Sequence, residues 1–103
     1  SGNARPVFAM TGVVLERAAL AGKKGNAIKL RLASGSGLRL DGVYFGDAAD
    51  FAGALGAQLG EDGVFSCCGP ADIMFYPEID DYRGMRKIQL VVSAVRRSRG
   101  MGA

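Results

Sequence analysis

The segment AIKLRLASGSGLRLD, residues 27–41, constrains the fold more than any other part of the chain. Ile28, Leu30 and Leu32 alternate with Lys29 and Arg31, and after SGSG the alternation resumes, with Leu38 and Leu40 on one parity and Arg39 and Asp41 on the other. A period of two puts alternate side chains on opposite faces of a strand, whereas a helix would scatter the same leucines around its circumference. Glycine and serine supply the tight turn between the two arms. The reading is an antiparallel hairpin with an apolar face turned in and a basic face turned out.

The flanking segments extend this hairpin into a larger sheet. VFAMTGVVLER, residues 7–17, is apolar on both parities, as a long strand is when it bends and is covered on both sides in part, and Gly12 is the natural place for the bend. AALAGKKGN, residues 18–26, reads as a loop with Lys23 and Lys24 at its tip. The alternation of LRLDGVYF breaks at Gly42, where a bulge would turn Val43 and Phe45 inward. From Asp47 the period becomes helical: Asp47 is placed to cap, Asp50 lies in the first turn, Phe51, Leu55 and Leu59 form the buried stripe, and Gly60 is placed to end the helix. EDGVFSCCG, residues 61–69, is a connection, Ala71–Tyr76 a fourth strand, IDDYRG a turn and Lys87–Val95 a fifth strand. Phe45 and Phe75 are expected in the core. The order β-β-β-α-β-β describes an all-β domain with one short helix, and it is the order of the OB-fold, a five-stranded Greek-key barrel. Such barrels bind oligonucleotides through strands two and three and the loops joining strands one-two and four-five.

Composition narrows what the chain can do. At 103 residues and 49% hydrophobic it can bury one modest core, and no apolar run approaches the ~20 residues of a membrane span. It contains no histidine, which removes serine-histidine and cysteine-histidine catalysis and the commonest metal ligand. The adjacent Cys67 and Cys68 cannot staple distant segments and form no CxxC, so the expectation is a reducing compartment, the cytoplasm, and no zinc. The chain opens on Ser-Gly-Asn and carries no signal-peptide pattern, which is expected of a segment cut from a longer protein.

The net charge of +3 is small, but the charges are segregated. Residues 1–39 hold seven bases and one acid, residues 40–82 nine acids and no base, and residues 83–103 six bases and no acid. If the first and last segments are neighbours in the fold, a basic face stands opposite an acidic one, the footprint of a nucleic-acid binder. The candidate contacts are Lys23 and Lys24 in the first loop, Lys29, Arg31 and Arg39 on the hairpin, and Tyr82, Arg83, Arg86 and Lys87 in and after the last turn. Bases of this kind neutralise phosphates, and an exposed tyrosine stacks on unpaired bases. Asp80 and Asp81 are read as turn-formers, because no third carboxylate at ligand spacing joins them, and no metal site is expected. Neither GKKG nor SGSG opens a helix, so neither is a phosphate loop of the Walker type.

ADIMFYPEIDDYRGMRKIQLVVSAVR, residues 71–96, resembles the closing strands of the C-terminal OB-fold domain of the RecJ family of single-stranded-DNA-specific exonucleases. Tyr76, Pro77, Tyr82, Arg83, Gly84, Gln89 and Leu90 carry that likeness, and Gly2, Asn3, Pro6, Phe8 and the GVYFG of residues 42–46 extend it to the front of the chain. Ala4, Asp80 and Ala94 depart from the family pattern, which usually has proline, asparagine and a polar residue there. The resemblance implies a parent enzyme that degrades single-stranded DNA from the 5′ end with Mn²⁺ or Mg²⁺, in a catalytic core upstream. This segment would then be a non-catalytic domain that needs no cofactor, partnered by single-stranded DNA and by the upstream domains. The implied layout is a linker at 1–6, the OB-fold domain at 7–97 and a basic disordered tail at 98–103. The rival reading is a structural or protein-interaction barrel that docks a repair partner through the acidic residues Asp47, Asp50, Glu61 and Asp62.

Overall fold

The computed structural model describes residues 6–21, 26–66, 69–82 and 84–98, with the side chains of 80–82 left out. The elements are β1 (Phe8–Ala21), β2 (Ala27–Ala33), β3 (Arg39–Phe45), α1 (Ala48–Leu55), β4 (Gln58–Leu59), β5 (Phe65–Ser66), β6 (Pro70–Tyr82) and β7 (Met85–Arg97). Five of them close a barrel in the order β1-β2-β3-β7-β6, with β3 and β7 parallel and the other pairs antiparallel. Together with the helix that follows β3, this is the OB-fold architecture expected from the periodicities. The β4-β5 pair lies outside the barrel and meets β1 through the Ala19–Val64 bridge and the Leu20 N–H to Gly63 carbonyl bond of 2.8 Å. No helix among the described residues is long and apolar enough to cross a membrane.

Closure depends on β1 serving two neighbours. Its first half pairs with β6, from Phe8–Phe75 to Val14–Pro70, and its second half with β2, from Val14–Ala33 to Ala21–Ala27. The partners change over at Val14, and just before it, within the part paired with β6, Gly12 makes a corner: its φ is 67°, the left-handed region that glycine enters at no steric cost, and the register shifts between Met10 and Val13. The bend expected at Gly12 is therefore present. Asp72 of β6 fastens the corner, accepting the Gly12 N–H at 3.0 Å on one oxygen and Arg96 Nε of β7 at 3.1 Å on the other. The Gly12 N–H, with help from Arg96 and Ser98, holds the Asp72 carboxyl below the ordinary carboxylate range. A depressed folded-state pKa means that the stabilisation is complete above the unfolded-state value and is lost as pH falls through the folded-state value. Asp72→Asn should thus lower the urea midpoint at neutral pH and flatten its decline on acidification below the carboxylate range. A parallel decline in both proteins would show that Asp72 does not fasten the corner.

The alternating leucines of the sequence line the interior as expected. Ile28, Leu30 and Leu32 are buried with Val13, Leu15, Ala18, Ile73, Leu90 and Val92, while Lys29 and Arg31 are exposed. The helix plugs one end of the barrel: Phe51 is fully buried, its ring 5.2 Å from that of Tyr44 and 5.0 Å from that of Phe65. The helix is shorter than its periodicity suggested. Gly56, not Gly60, ends it, at φ 66° with the Ala57 N–H bonded back to the Ala52 carbonyl, and Leu59 is an exposed residue of β4. A left-handed glycine immediately after Leu55 stops the helix before the third member of the apolar stripe.

Four further expectations are corrected. β1 continues through Ala21, so Ala18–Ala21 is strand rather than loop, and Lys23 and Lys24 lie outside the described residues. No bulge occurs at Gly42: the β2-β3 register is unbroken, and Gly42 itself faces in, where a Cβ would stand 3.2 Å from the Leu90 carbonyl oxygen and 3.3 Å from Leu32 Cδ1. The parallel crossing of β7 over β3 requires that close approach, and of the two residues expected inward Val43, paired with Val91 of β7, is buried at 8% exposure while Phe45 faces outward. Phe45 is consequently 64% exposed rather than in the core, whereas Phe75 does pack against the core. Finally, IDDYRG is not a broad turn. The β6-β7 ladder runs on to Tyr82–Met85, so Asp80 and Asp81 are strand residues in register with Lys87 and Arg86. Among the described residues β6 pairs with β1 no farther than Phe75, and β7 with β3 only over Leu90–Val92. The rest of this hairpin is a two-stranded ribbon that extends beyond the barrel wall. Cys67 and Cys68 are outside the described residues.

Candidate nucleic-acid interface

The outer face of the sheet acquires its charge through a register irregularity in β1. Leu15 stands opposite Leu32 and Arg17 opposite Arg31, leaving Glu16 as the extra residue. A bulge lets two successive side chains emerge on the same side. Glu16 and Arg17 are both exposed while Leu15 and Ala18, on either side, are buried. Lys29 and Arg31 of β2, Arg39 and Asp41 of β3, and Lys87 and Gln89 of β7 complete an open groove of about 940 Å³ with Leu30 and Gly42 at its base. β2 and β3 place their contributions by simple alternation, with Leu30 and Leu32 of β2 buried in the core on the opposite parity, whereas Lys87 and Gln89 come from the ribbon part of β7.

Five bases face two carboxylates in this groove. Arg39 donates through Nε to both Glu16 oxygens, at 3.1 and 3.3 Å, and Arg31 Nε lies 3.2 Å from Asp41 Oδ1. Pairs this exposed add about 0–1 kcal/mol to stability, so their main effect is to orient the guanidinium groups. Arg17, Lys29 and Lys87 make no ion pair among the described residues. Arg17 and Arg31 are directly opposed across the β1-β2 ladder. Like charges in that position are destabilising, a cost that an anionic ligand would relieve. Among the described residues no three carboxylates or cysteines are close enough together to hold a metal ion.

Of the residues singled out in the sequence, Lys29, Arg31, Arg39 and Lys87 converge here. Arg86 does not: it neighbours Lys87 on an unbroken stretch of strand and so projects from the other side of the ribbon. Lys23, Lys24, Arg83 and the side chain of Tyr82 lie outside the described residues. The sequence reading missed Arg17 and Gln89. A signal for Arg17 was present, since the buried residues Leu15 and Ala18 are three apart in a strand whose period is two, which marks an inserted residue. Gln89 carries no charge and sits in an apolar run, so nothing in its neighbourhood marked it.

The family model for the RecJ OB domain matches residues 1–94. The chain belongs to that family. No curated protein matches it. In this RecJ OB domain the residues that carried the likeness have distinct places. Pro77 stands opposite Leu90 where the ribbon leaves the barrel, and because it lacks an N–H it closes the β6 edge to further pairing at that point. Gly84 takes φ 74° in the β6-β7 turn, Gln89 lines the groove and Leu90 is buried beneath Gly42. The RecJ OB domain thus has its charged surface where the strands two-three face of an OB-fold lies. Within the ribbon, Lys87→Ala is expected to weaken oligonucleotide binding by several-fold more than Arg86→Ala, measured by fluorescence anisotropy; equal losses would place the interface at the ribbon tip.

Proposed function

We propose that this domain binds single-stranded DNA along the groove, and that in its parent protein it holds the strand for the catalytic core of a RecJ-like 5′-to-3′ exonuclease acting in bacterial DNA repair and recombination. The domain itself does no chemistry in this reading: Mn²⁺ or Mg²⁺ and the hydrolytic residues belong to the core. The observation that carries the proposal is the convergence of Arg17, Lys29, Arg31, Arg39 and Lys87 from four different strands on one groove. Bases arranged this way track a phosphate backbone, and such binding is sequence-tolerant and salt-dependent. Membership of the RecJ OB domain family supports the same reading.

Titration of labelled single-stranded oligonucleotides at two salt concentrations tests it. If three to five phosphates are neutralised, log affinity should fall against log salt with a slope of roughly −2 to −3.5. Absence of binding at low salt, or indifference to salt, would refute the proposal. Exposed Asp47, Asp50, Glu61 and Asp62 support the second reading, in which the barrel docks a basic protein partner. That reading requires retention of such a partner without any oligonucleotide shift.

A further inference from the structure

Phe45 is the most exposed aromatic side chain among the described residues, and the core does not explain its position. Against 49% for Phe8 it is 64% exposed, and it shares a parity of β3 with Arg39 and Asp41 of the charged face, two positions beyond the buried Val43. The unbroken β2-β3 register sets Asp41 opposite Arg31, Val43 opposite Lys29 and Phe45 opposite Ala27. Alternation therefore keeps Phe45 on the side of the sheet that carries Lys29, Arg31, Arg39 and Asp41. Lys29 is its diagonal neighbour, at a typical Cβ separation of about 7–8 Å. The residue directly across is only an alanine, and the next in sequence is Gly46, so no bulky side chain from either covers the ring. No aromatic residue is present among the described residues that line the groove itself. The groove thus offers charge, and Phe45, beside it on the same face, offers a flat apolar surface.

We propose that Phe45 is a base-stacking platform of this interface. Its ring receives one unpaired base face to face while Lys29 takes a neighbouring phosphate. This rests on the single-strand reading above, and it assigns to Phe45 the part of recognition that the groove's lysines and arginines cannot perform. Stacking on an aromatic ring is tolerant of sequence because every base has a π-face, and its loss costs roughly five- to hundredfold in affinity.

The test compares the unmodified protein, Phe45→Ala and Phe45→Trp on two probes of equal length, an ordinary single-stranded oligonucleotide and one made wholly of abasic sites, at two salt concentrations. Phe45→Ala should weaken the ordinary oligonucleotide at least fivefold, leave the abasic one unchanged and leave the salt slope unchanged. Phe45→Trp should restore binding, with its fluorescence quenched on addition of the ordinary oligonucleotide alone. Equal effects of Phe45→Ala on both probes, or no effect on either, would overturn the assignment. If the unmodified protein binds neither probe, it is the single-strand reading beneath that falls.

Discussion

Exchange of Lys29 and Lys87 together for glutamate should abolish single-strand binding under conditions where the unmodified domain is saturated. The groove holds five bases and two carboxylates, and the double exchange reverses the sign of its charge. Loss of affinity on the order of a hundredfold at low salt is expected, from charge-assisted bonds of roughly 1.5–3 kcal/mol each, discounted for their exposure. The more diagnostic quantity is the salt slope, which should become shallower by about 1.4 when two single-strand phosphate contacts are lost. Both lysines are exposed on regular strand, so the urea midpoint should barely move, because surface substitutions of this kind stay within about 0.5 kcal/mol. Anisotropy titrations beside a denaturation curve separate the two effects. Unchanged affinity in a folded double variant would place the interface on another face of the barrel.

The second large effect is on the fold. Phe51→Ala should cost about 3–5 kcal/mol, because it leaves a cavity at a fully buried site that the two rings packed on it, Tyr44 from β3 and Phe65 from β5, cannot both fill. Set against the roughly 5–15 kcal/mol that holds a domain of this size together, that removes a large share of its stability. The midpoint of thermal unfolding should fall by about 15–30 °C, followed by circular dichroism. Phe51→Leu, which fills more of the space, should recover part of the loss. A change below about 1 kcal/mol for the alanine variant would mean that the helix does not seal the barrel through this side chain. Binding per folded molecule should survive in either variant, since Phe51 points into the core and takes no part in the groove.

The sequence disclosed the elements whose residues report directly on a single neighbour. Ile28, Leu30 and Leu32 with their alternating bases define β2 because each apolar residue is buried and each charged one exposed, and no other arrangement satisfies both. The SGSG turn is equally local: Ser34 N–H bonds to the Leu38 carbonyl at 2.8 Å and Gly37 N–H to the Ser34 carbonyl at 2.9 Å, contacts made within five residues. Gly42 was different. Its break in the alternation suggested a bulge in β3, but its smallness serves the parallel passage of β7, some fifty residues later in the chain, and no pattern within LRLDGVYF distinguishes the two uses. Helix length failed for a related reason. The Phe51-Leu55-Leu59 spacing continues past Gly56, and either glycine at 56 or 60 was able to end it; the Phe65 ring packed on Phe51, through the β4-β5 pair, is a contact that the spacing does not contain.

The candidate site divides along the same line. Residue type alone marked Lys29, Arg31, Arg39 and Lys87, because a base on the outward parity of a strand has nowhere to go but solvent. Arg17 needed the extra residue in β1, and Phe45 needed the unbroken register that turns it outward, so with each strand considered alone Arg17 was missed and Phe45 was placed in the core.

By itself, then, the sequence determined the strand and helix order, the basic outward parity of the β2-β3 hairpin, the lack of histidine chemistry and the likeness that marks the RecJ OB domain. Those properties depend on residue type and on spacings of two to four residues. Only the tertiary structure decided that β1 serves both β6 and β2, that the β6-β7 hairpin extends into a ribbon, and that four strands bring their bases to a single groove. Barrel closure is a relation between residues sixty or more positions apart, as between Gly12 and Asp72 or Phe8 and Phe75, and a spacing that long leaves no trace in local periodicity.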